Sequence, residues 1–294
     1  MKRTLLILLI ILSLVLLNGC NGQPENTQVV ATTKPVYDFS AFLCQNTDIE
    51  VTLLVTENVS CLHDYTLQVR QMRAIEACQV VVMNGAGLED FLHDAIRNKQ
   101  TVIDASQGID LLCGGHDHDH DHEHNEHHHE NDPHIWLSIQ NAKQMAVNIS
   151  IGLIAQYPQH KETIRQNLAA LNAKFDALDA YGKDAFSGLK CRDLITFHDG
   201  FAYFAEYFDL HILHSLEEES GSEASASELK ELVELVEEYK LPAIFVEENG
   251  STSASGVISA ETGAEIFTLN MAMGKQDYFE SMYQNIDNIK EALG

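Results

Sequence analysis

The sequence predicts an α/β protein of two lobes, each a mainly parallel four-stranded sheet with flanking helices, joined by one long rigid helix with a cleft between the lobes. Three observations carry this. Short apolar, β-branched runs alternate with stretches of helical period, the pattern of a parallel sheet with helices packed on its faces. The alternation starts again in the second half of the chain. Between the halves, residues 161–189 keep a helical period without a proline, and at ~1.5 Å per residue such a helix spans about 40 Å, enough to run along both lobes.

Taken in order, the chain opens with Lys2-Arg3, an apolar run from Thr4 to Leu17 and then Asn18-Gly19-Cys20. This has the charge, length and small-residue ending of an export signal, and the run is too short for a membrane span. Leu17-Asn18-Gly19-Cys20 resembles the lipobox at which bacterial lipoproteins are cleaved and lipidated. The mature chain is therefore expected to begin at Cys20 and to lie outside the cytoplasm, anchored to the cell membrane through that cysteine. About 275 residues remain, enough for one large or two medium cores. In the first lobe, strands are predicted at 28–32, 49–55, 80–83 and 101–103, with helices at 36–44, 67–78 and 88–98 between them. Residues 114–131 are almost wholly His, Asp and Glu, too poor in apolar surface to fold alone, and are predicted to form a mobile loop. Helix resumes at 142–157, Pro158 breaks it, and the connector follows. In the second lobe, strands are expected at 193–197, 210–216, 243–246 and 265–269, and helices at 201–208, 226–239, 254–262 and 276–293. The expected division is a signal peptide over 1–20, an N-terminal lobe over 21–158, a connector over 159–189 and a C-terminal lobe over 190–294.

Charge narrows the function. The chain carries 18 Lys and Arg against 44 Asp and Glu, a formal charge of −26. Loss of Lys2 and Arg3 with the leader leaves 16 against 44, or −28. Such a surface repels nucleic acid and anionic headgroups and draws cations. Beyond Cys20, the cysteines Cys44, Cys61, Cys78, Cys113 and Cys191 form no CxxC pair. Their odd number leaves at least one thiol free, and spacing alone does not give a connectivity.

Histidine is the conspicuous residue, with 15 in the chain. Eight lie in the acidic tract: His116, His118, His120, His122, His124, His127, His128 and His129. In an extended chain the alternation from His116 to His122 puts imidazoles on one side and carboxylates on the other, making several weak, transient chelates. A collecting or sensing role for metal is expected of it, against the alternative of a solvated spacer. Of the rest, His93, His160, His211 and His214 read as structural or surface residues. His63 follows the second strand, His134 the last loop of the first lobe, and His198 the first strand of the second lobe. Ligands of open α/β sheets bind where loops leave the carboxyl ends of strands, so these three face the expected cleft from both sides. Neutral imidazole is a favoured zinc ligand.

Five stretches carry a family resemblance: His63-Asp64-Tyr65, Asn84-Gly85-Ala86-Gly87-Leu88-Glu89, Asp132-Pro133-His134-Ile135-Trp136-Leu137, Phe197-His198-Asp199 with the aromatic residues after it, and Glu261-Thr262-Gly263-Ala264. With them the whole mature chain resembles the zinc and manganese receptors of bacterial ABC importers, the ZnuA-like solute-binding proteins. The resemblance implies two lobes bridged by a rigid helix and a metal held between them on His63, His134 and His198. Histidine at position 198 is similar to zinc-preferring members, whereas manganese-preferring members tend to have glutamate there, in keeping with the softer ligand suiting zinc over Mn2+. Leu62 stands where members usually have proline. Asn270 falls where many have a coordinating aspartate, so the fourth position is expected to be water first, then Asn270 or a carboxylate such as Glu247.

The implied function is capture of zinc and delivery to a membrane permease and its ATPase, the chain acting as a monomer and, lacking a Walker-type loop, supplying no energy itself. Since imidazole binds metal only when neutral, affinity is expected to fall below about pH 6.5. A manganese receptor and a metal-binding adhesin are the alternatives within the family. A zinc hydrolase is the alternative outside it, because three histidines and water also hold hydrolytic zinc, but the sequence has no HExxH, and Asp64, Asp132 and Asp199 can orient histidines as readily as act as bases.

Overall fold

Runs of Val, Ile and Ala with no polar alternation can be buried on both faces only if helices cover both sides of the sheet, and this is how they are used. The computed structural model describes residues 28–56, 62, 65–97, 101–114, 131–216, 224–248 and 252–294. The leader with Cys20, the histidines of the acidic tract, His63, Asp64 and Cys61 lie outside the described residues. The first sheet consists of β1 (Val29–Ala31), β2 (Val51–Leu53), β3 (Val80–Met83) and β4 (Val102–Asp104), all parallel in the order β2-β1-β3-β4. The second consists of β5 (Asp193–Thr196), β6 (His211–Ser215), β7 (Ala243–Glu247) and β8 (Glu265–Leu269), parallel in the order β6-β5-β7-β8. The two sheets thus share one topology, in which the order reverses beside the first strand and leaves a crevice at its carboxyl end.

The helices are α1 (Lys34–Leu43), α2 (Val69–Ala77), the single turn α3 (His93–Ile96), α4 (Ile139–Gln156), α5 (Lys161–Phe186), α6 (Ala202–Phe208), α7 (Ala226–Tyr239), α8 (Ser253–Thr262) and α9 (Tyr278–Leu293). Pro158 does end one helix and open the next, through a 3-10 turn at Pro158–His160. The connector α5 has 26 residues, about 39 Å at ~1.5 Å each. One expected helix is shortened: within 88–98 the described residues make a 3-10 turn at Asp90–Leu92 that runs directly into α3. Glu89 precedes this segment, its carboxylate folding back to accept the N–H groups of Asn84 (2.7 Å) and Gly85 (3.0 Å).

One core cluster runs through both sheets and the connector. Phe39 of α1, Phe175 of α5 and Tyr278 of α9 meet edge to face with centroids 4.9–5.8 Å apart, tying an element of each lobe to the connector. Smaller clusters cover the outer faces, Val30, Leu54, Ile75, Val81 and Leu92 on the first sheet and Ile195, Leu232, Val236, Ile244 and Ile258 on the second. Polar links cross between the lobes as well: the Tyr278 N–H donates to Asp38 (2.9 Å) and its hydroxyl to the Trp136 carbonyl (2.8 Å), while the Trp136 indole N–H donates to the Met271 carbonyl (2.7 Å). Among the described residues, no helix is long and apolar enough to cross a membrane. Cys44, Cys78, Cys113 and Cys191 form no disulfide with one another.

Candidate metal centre

His134 is buried and opens the 3-10 turn Ile135–Leu137, whose three side chains are fully buried and anchor it. Two groups orient its ring. The Asp132 carboxylate, also buried, lies 2.7 Å from His134 Nδ1 and accepts the His134 N–H at 2.8 Å. The Trp136 indole packs edge on, with centroids 5.3 Å apart. A carboxylate at Nδ1 draws the ring proton to that nitrogen and leaves the Nε2 lone pair for a metal.

From the second lobe, His198 leaves the carboxyl end of β5 beside the point where the strand order reverses. Its Nε2 lies 3.5 Å from His134 Nε2, with the rings nearly perpendicular at 86°. Two nitrogens each ~2.0–2.1 Å from one tetrahedral zinc stand about 3.3–3.4 Å apart, so the pair fits two ligands of a single ion. Gly200 gives the imidazole its space: a Cβ there would lie 2.5 Å from Met271 Cε and 2.7 Å from His198 Cδ2. Among the described residues, no group of three or more His, Cys, Asp and Glu side chains could hold a metal.

The structure thus brings His134 and His198 together, while His63, the third ligand expected from the sequence, lies outside the described residues. Its neighbour Leu62 is fully buried in the main core, and the Tyr65 N–H donates to the Leu62 carbonyl at 3.0 Å. Leu62 itself is thus held by burial in the core. Asn270, buried just beyond β8, is knitted into its own lobe. Its Oδ1 accepts the Ala272 N–H (2.7 Å), and its Nδ2 donates to Glu248 (2.7 Å) and Gln276 (3.0 Å). Glu247 is the last residue of β7, buried opposite Leu269. His93 and His211 are largely exposed, and His160 pairs with Asp48.

Three features escape a reading of residue types. Asn84 donates from Nδ2 to the Pro133 carbonyl at 3.0 Å, holding the residue before His134. Glu89 sits fully buried beneath it, its carboxyl pushed up to about 7 by desolvation, against hydrogen bonds from Thr32, Asn84 and Gly85 that lower it and the nearby Asp104 that raises it further. Tyr203 of α6 reaches across the cleft, accepting the Leu112 N–H (2.9 Å) and donating to the Asp132 carbonyl (3.0 Å). The glycine-rich run and the aromatics after His198 were visible signals, but not what they touch.

Two like parallel α/β lobes, bridged by one long helix and bringing an imidazole from each side to a common point, define a metal-binding solute-binding protein. The comparisons agree. Residues 29–292 match the family described as ZnuA, zinc-uptake complex component A, periplasmic. The chain belongs to that family, whose members are extracytoplasmic receptors serving ABC transporters. It is 28% identical over 289 residues to the high-affinity zinc uptake system protein ZnuA of Bacillus subtilis (strain 168), covering 94% of this chain and 90% of that protein. It is 30% identical over 308 residues to the zinc-binding lipoprotein AdcA of Streptococcus pneumoniae serotype 4, covering 99% of this chain and 61% of AdcA. A crystal structure of ZnuA superposes with a TM-score of 0.79 at 28% identity, over 92% of this chain and all of that one.

Proposed function

We propose that this chain is an extracytoplasmic receptor that binds zinc on His63, His134 and His198, with water in the fourth position, and delivers it to an ABC permease and its ATPase for import. The observation that carries the reading is the 3.5 Å approach of two Nε2 atoms from opposite lobes, one of them oriented by a buried carboxylate. Zinc ranks above manganese because imidazole is the better ligand for it, and because the relatives are named for zinc. Water ranks above Asn270 because that amide is engaged on both its oxygen and its nitrogen, and above Glu247 because no carboxylate joins the two imidazoles among the described residues.

The protein acts as a monomer held to the membrane by a lipid on Cys20, and the acidic histidine tract collects metal for the central site. The lobes follow the division at 158 and 189, and the connector with its aromatic contacts limits closure to a small movement of one lobe. It is a carrier and not a hydrolase, a reading supported by Asp132, which is committed to His134 and so is not placed as a free general base.

Calorimetric titration of the apo protein lacking residues 1–20 tests this. One tight zinc event is expected, weaker for manganese, absent from the His63→Ala/His198→Ala double variant and kept when residues 114–131 are deleted. Tight zinc binding that survives the double variant would mean the ligands are misassigned. Loss of the tight event on deleting 114–131 would sink the division of labour between tract and cleft.

A further inference from the structure

The hydroxyl of Tyr203 stands where three parts of the molecule meet. Its residue belongs to the first turn of α6, five positions after His198, so the segment that carries the second lobe's ligand also carries this ring. The ring is buried, and the hydroxyl is paired on both its donor and acceptor sides. One partner is the backbone N–H of Leu112 and the other is the carbonyl of Asp132, both from the first lobe. These two residues are themselves joined, since the Asp132 N–H donates to the Leu112 carbonyl at 2.9 Å, and next to them Cys113 and Asn131 form an isolated antiparallel bridge. The backbone of Asp132 is therefore held on both sides: at its N–H by Leu112 and at its carbonyl by Tyr203. Its side chain is the one that orients His134.

We propose that Tyr203 is a positioning residue for the metal centre, fixing Asp132 and through it the direction of His134 Nε2 relative to His198. The inference rests on the zinc-receptor reading and goes beyond it by assigning a role to a residue outside the proposed ligand set. Coordination is directional, and a carboxylate that drifts by a fraction of an ångström turns the imidazole it holds. Without the hydroxyl, the Leu112 N–H and the Asp132 carbonyl lose their shared partner in a buried place, and the strand pair can relax away from α6. Since Tyr203 and His198 share one short segment, the link also keeps the two ligands in register when either lobe shifts.

The test compares the wild type with Tyr203→Phe, Asp132→Asn and the double variant, measuring the zinc dissociation constant by competition with a chromophoric chelator and the visible absorption of the cobalt-loaded protein. The phenylalanine ring keeps the core contacts. Tyr203→Phe is expected to weaken zinc about tenfold, at the low end of the ~10–100-fold cost of removing a group that orients a ligand. Its cobalt bands should also move, because the ligand field reports the direction of His134. Combining Tyr203→Phe with Asp132→Asn should cost little more than Asp132→Asn alone, since one acts through the other. An unchanged affinity and cobalt spectrum in Tyr203→Phe, even with a lower melting temperature, would reduce the hydroxyl to a structural role and overturn the proposal. Fully additive losses in the double variant would also overturn it. A wild type without tight zinc binding would instead refute the receptor reading, and the positioning role with it.

Discussion

At the scale of single residues, the contrast is between His134 and Glu89. The histidine was legible because a lone tryptophan two residues on and an acidic residue two before it make an unusual fragment, and all three side chains touch or support one another. Glu89 ends a glycine-rich run at the start of the expected helix over 88–98, and nothing in its residue type announces burial. Its burial depends on Thr32 and the backbone of Asn84 and Gly85 gathering around it, contacts set by tertiary structure. Gly85, at φ +82°, is required here: a Cβ would fall 2.0 Å from Asp104 Oδ1. Burial pushes the Glu89 carboxyl up to about 7 from an ordinary value of 4.5. The folded state thus keeps a proton that the unfolded chain releases, so this group's contribution is full below about pH 4.5 and is lost as pH rises through 7. Glu89→Gln, which cannot ionise, should show a flatter stability profile over that window. Urea midpoints of the apo wild type and variant at pH 5 and 7.5 check it, and equal slopes for the two proteins would show that Glu89 does not titrate there.

Element by element, the strands and the long helices were readable because each has a periodicity that burial enforces. The connector was the clearest, uninterrupted from the break at Pro158. The strands came out shorter than their apolar runs, since ladder pairing stops where the sheet ends although burial continues, as at Leu54 and Val55 beyond β2. The helix after Glu89 came out shorter than expected, a 3-10 turn at Asp90–Leu92 running into the single turn α3. Gly182 within the connector is a further case. A glycine in a helix usually costs stability, yet here a Cβ would lie 2.5 Å from Phe208 Cε1 and 2.6 Å from Cζ, so the absence of a side chain lets α6 pack against α5. Gly182→Ala should gain ~1 kcal/mol of helix propensity and lose more through overpacking of a rigid ring, for a net loss of about 1–2 kcal/mol. In a chain of this size that lowers the melting temperature by roughly 2–4 °C. Gly188→Ala, with nothing within 4 Å of its Cβ, should leave the melting temperature nearly unchanged, and calorimetry of the two variants decides. If both melt alike, the close packing of α6 on the connector is not what the glycine serves.

For the molecule as a whole, contacts tie the lobes to each other and to the connector, and on the proposed function shape change is expected to have little part in capturing the ion. An aromatic cluster spans both lobes and the connector, and cross-lobe hydrogen bonds surround the two imidazoles. Rate must then come largely from how often a cation arrives. A formal charge of −26 is far more than solubility requires, and its field reaches well beyond the surface at low ionic strength, with a screening length of about 30 Å at ~0.01 M against about 3 Å at ~1 M. A divalent cation approaching such a surface is enriched locally, and a cleft with low-dielectric walls focuses the field. On the proposed ligand set, the hold on a bound ion depends on nitrogen ligands within a few ångströms, where salt hardly penetrates. Association with zinc should therefore slow by about tenfold or more as ionic strength rises from ~0.01 to ~0.5 M, while dissociation stays nearly constant. Stopped-flow measurements on the protein lacking residues 1–20, with and without residues 114–131, separate the two sources of charge. A salt effect that survives the deletion belongs to the folded lobes, and one that vanishes with it belongs to the tract. A dissociation rate that changes as much as the association rate would mean that salt acts on the site itself and that long-range attraction does not govern capture.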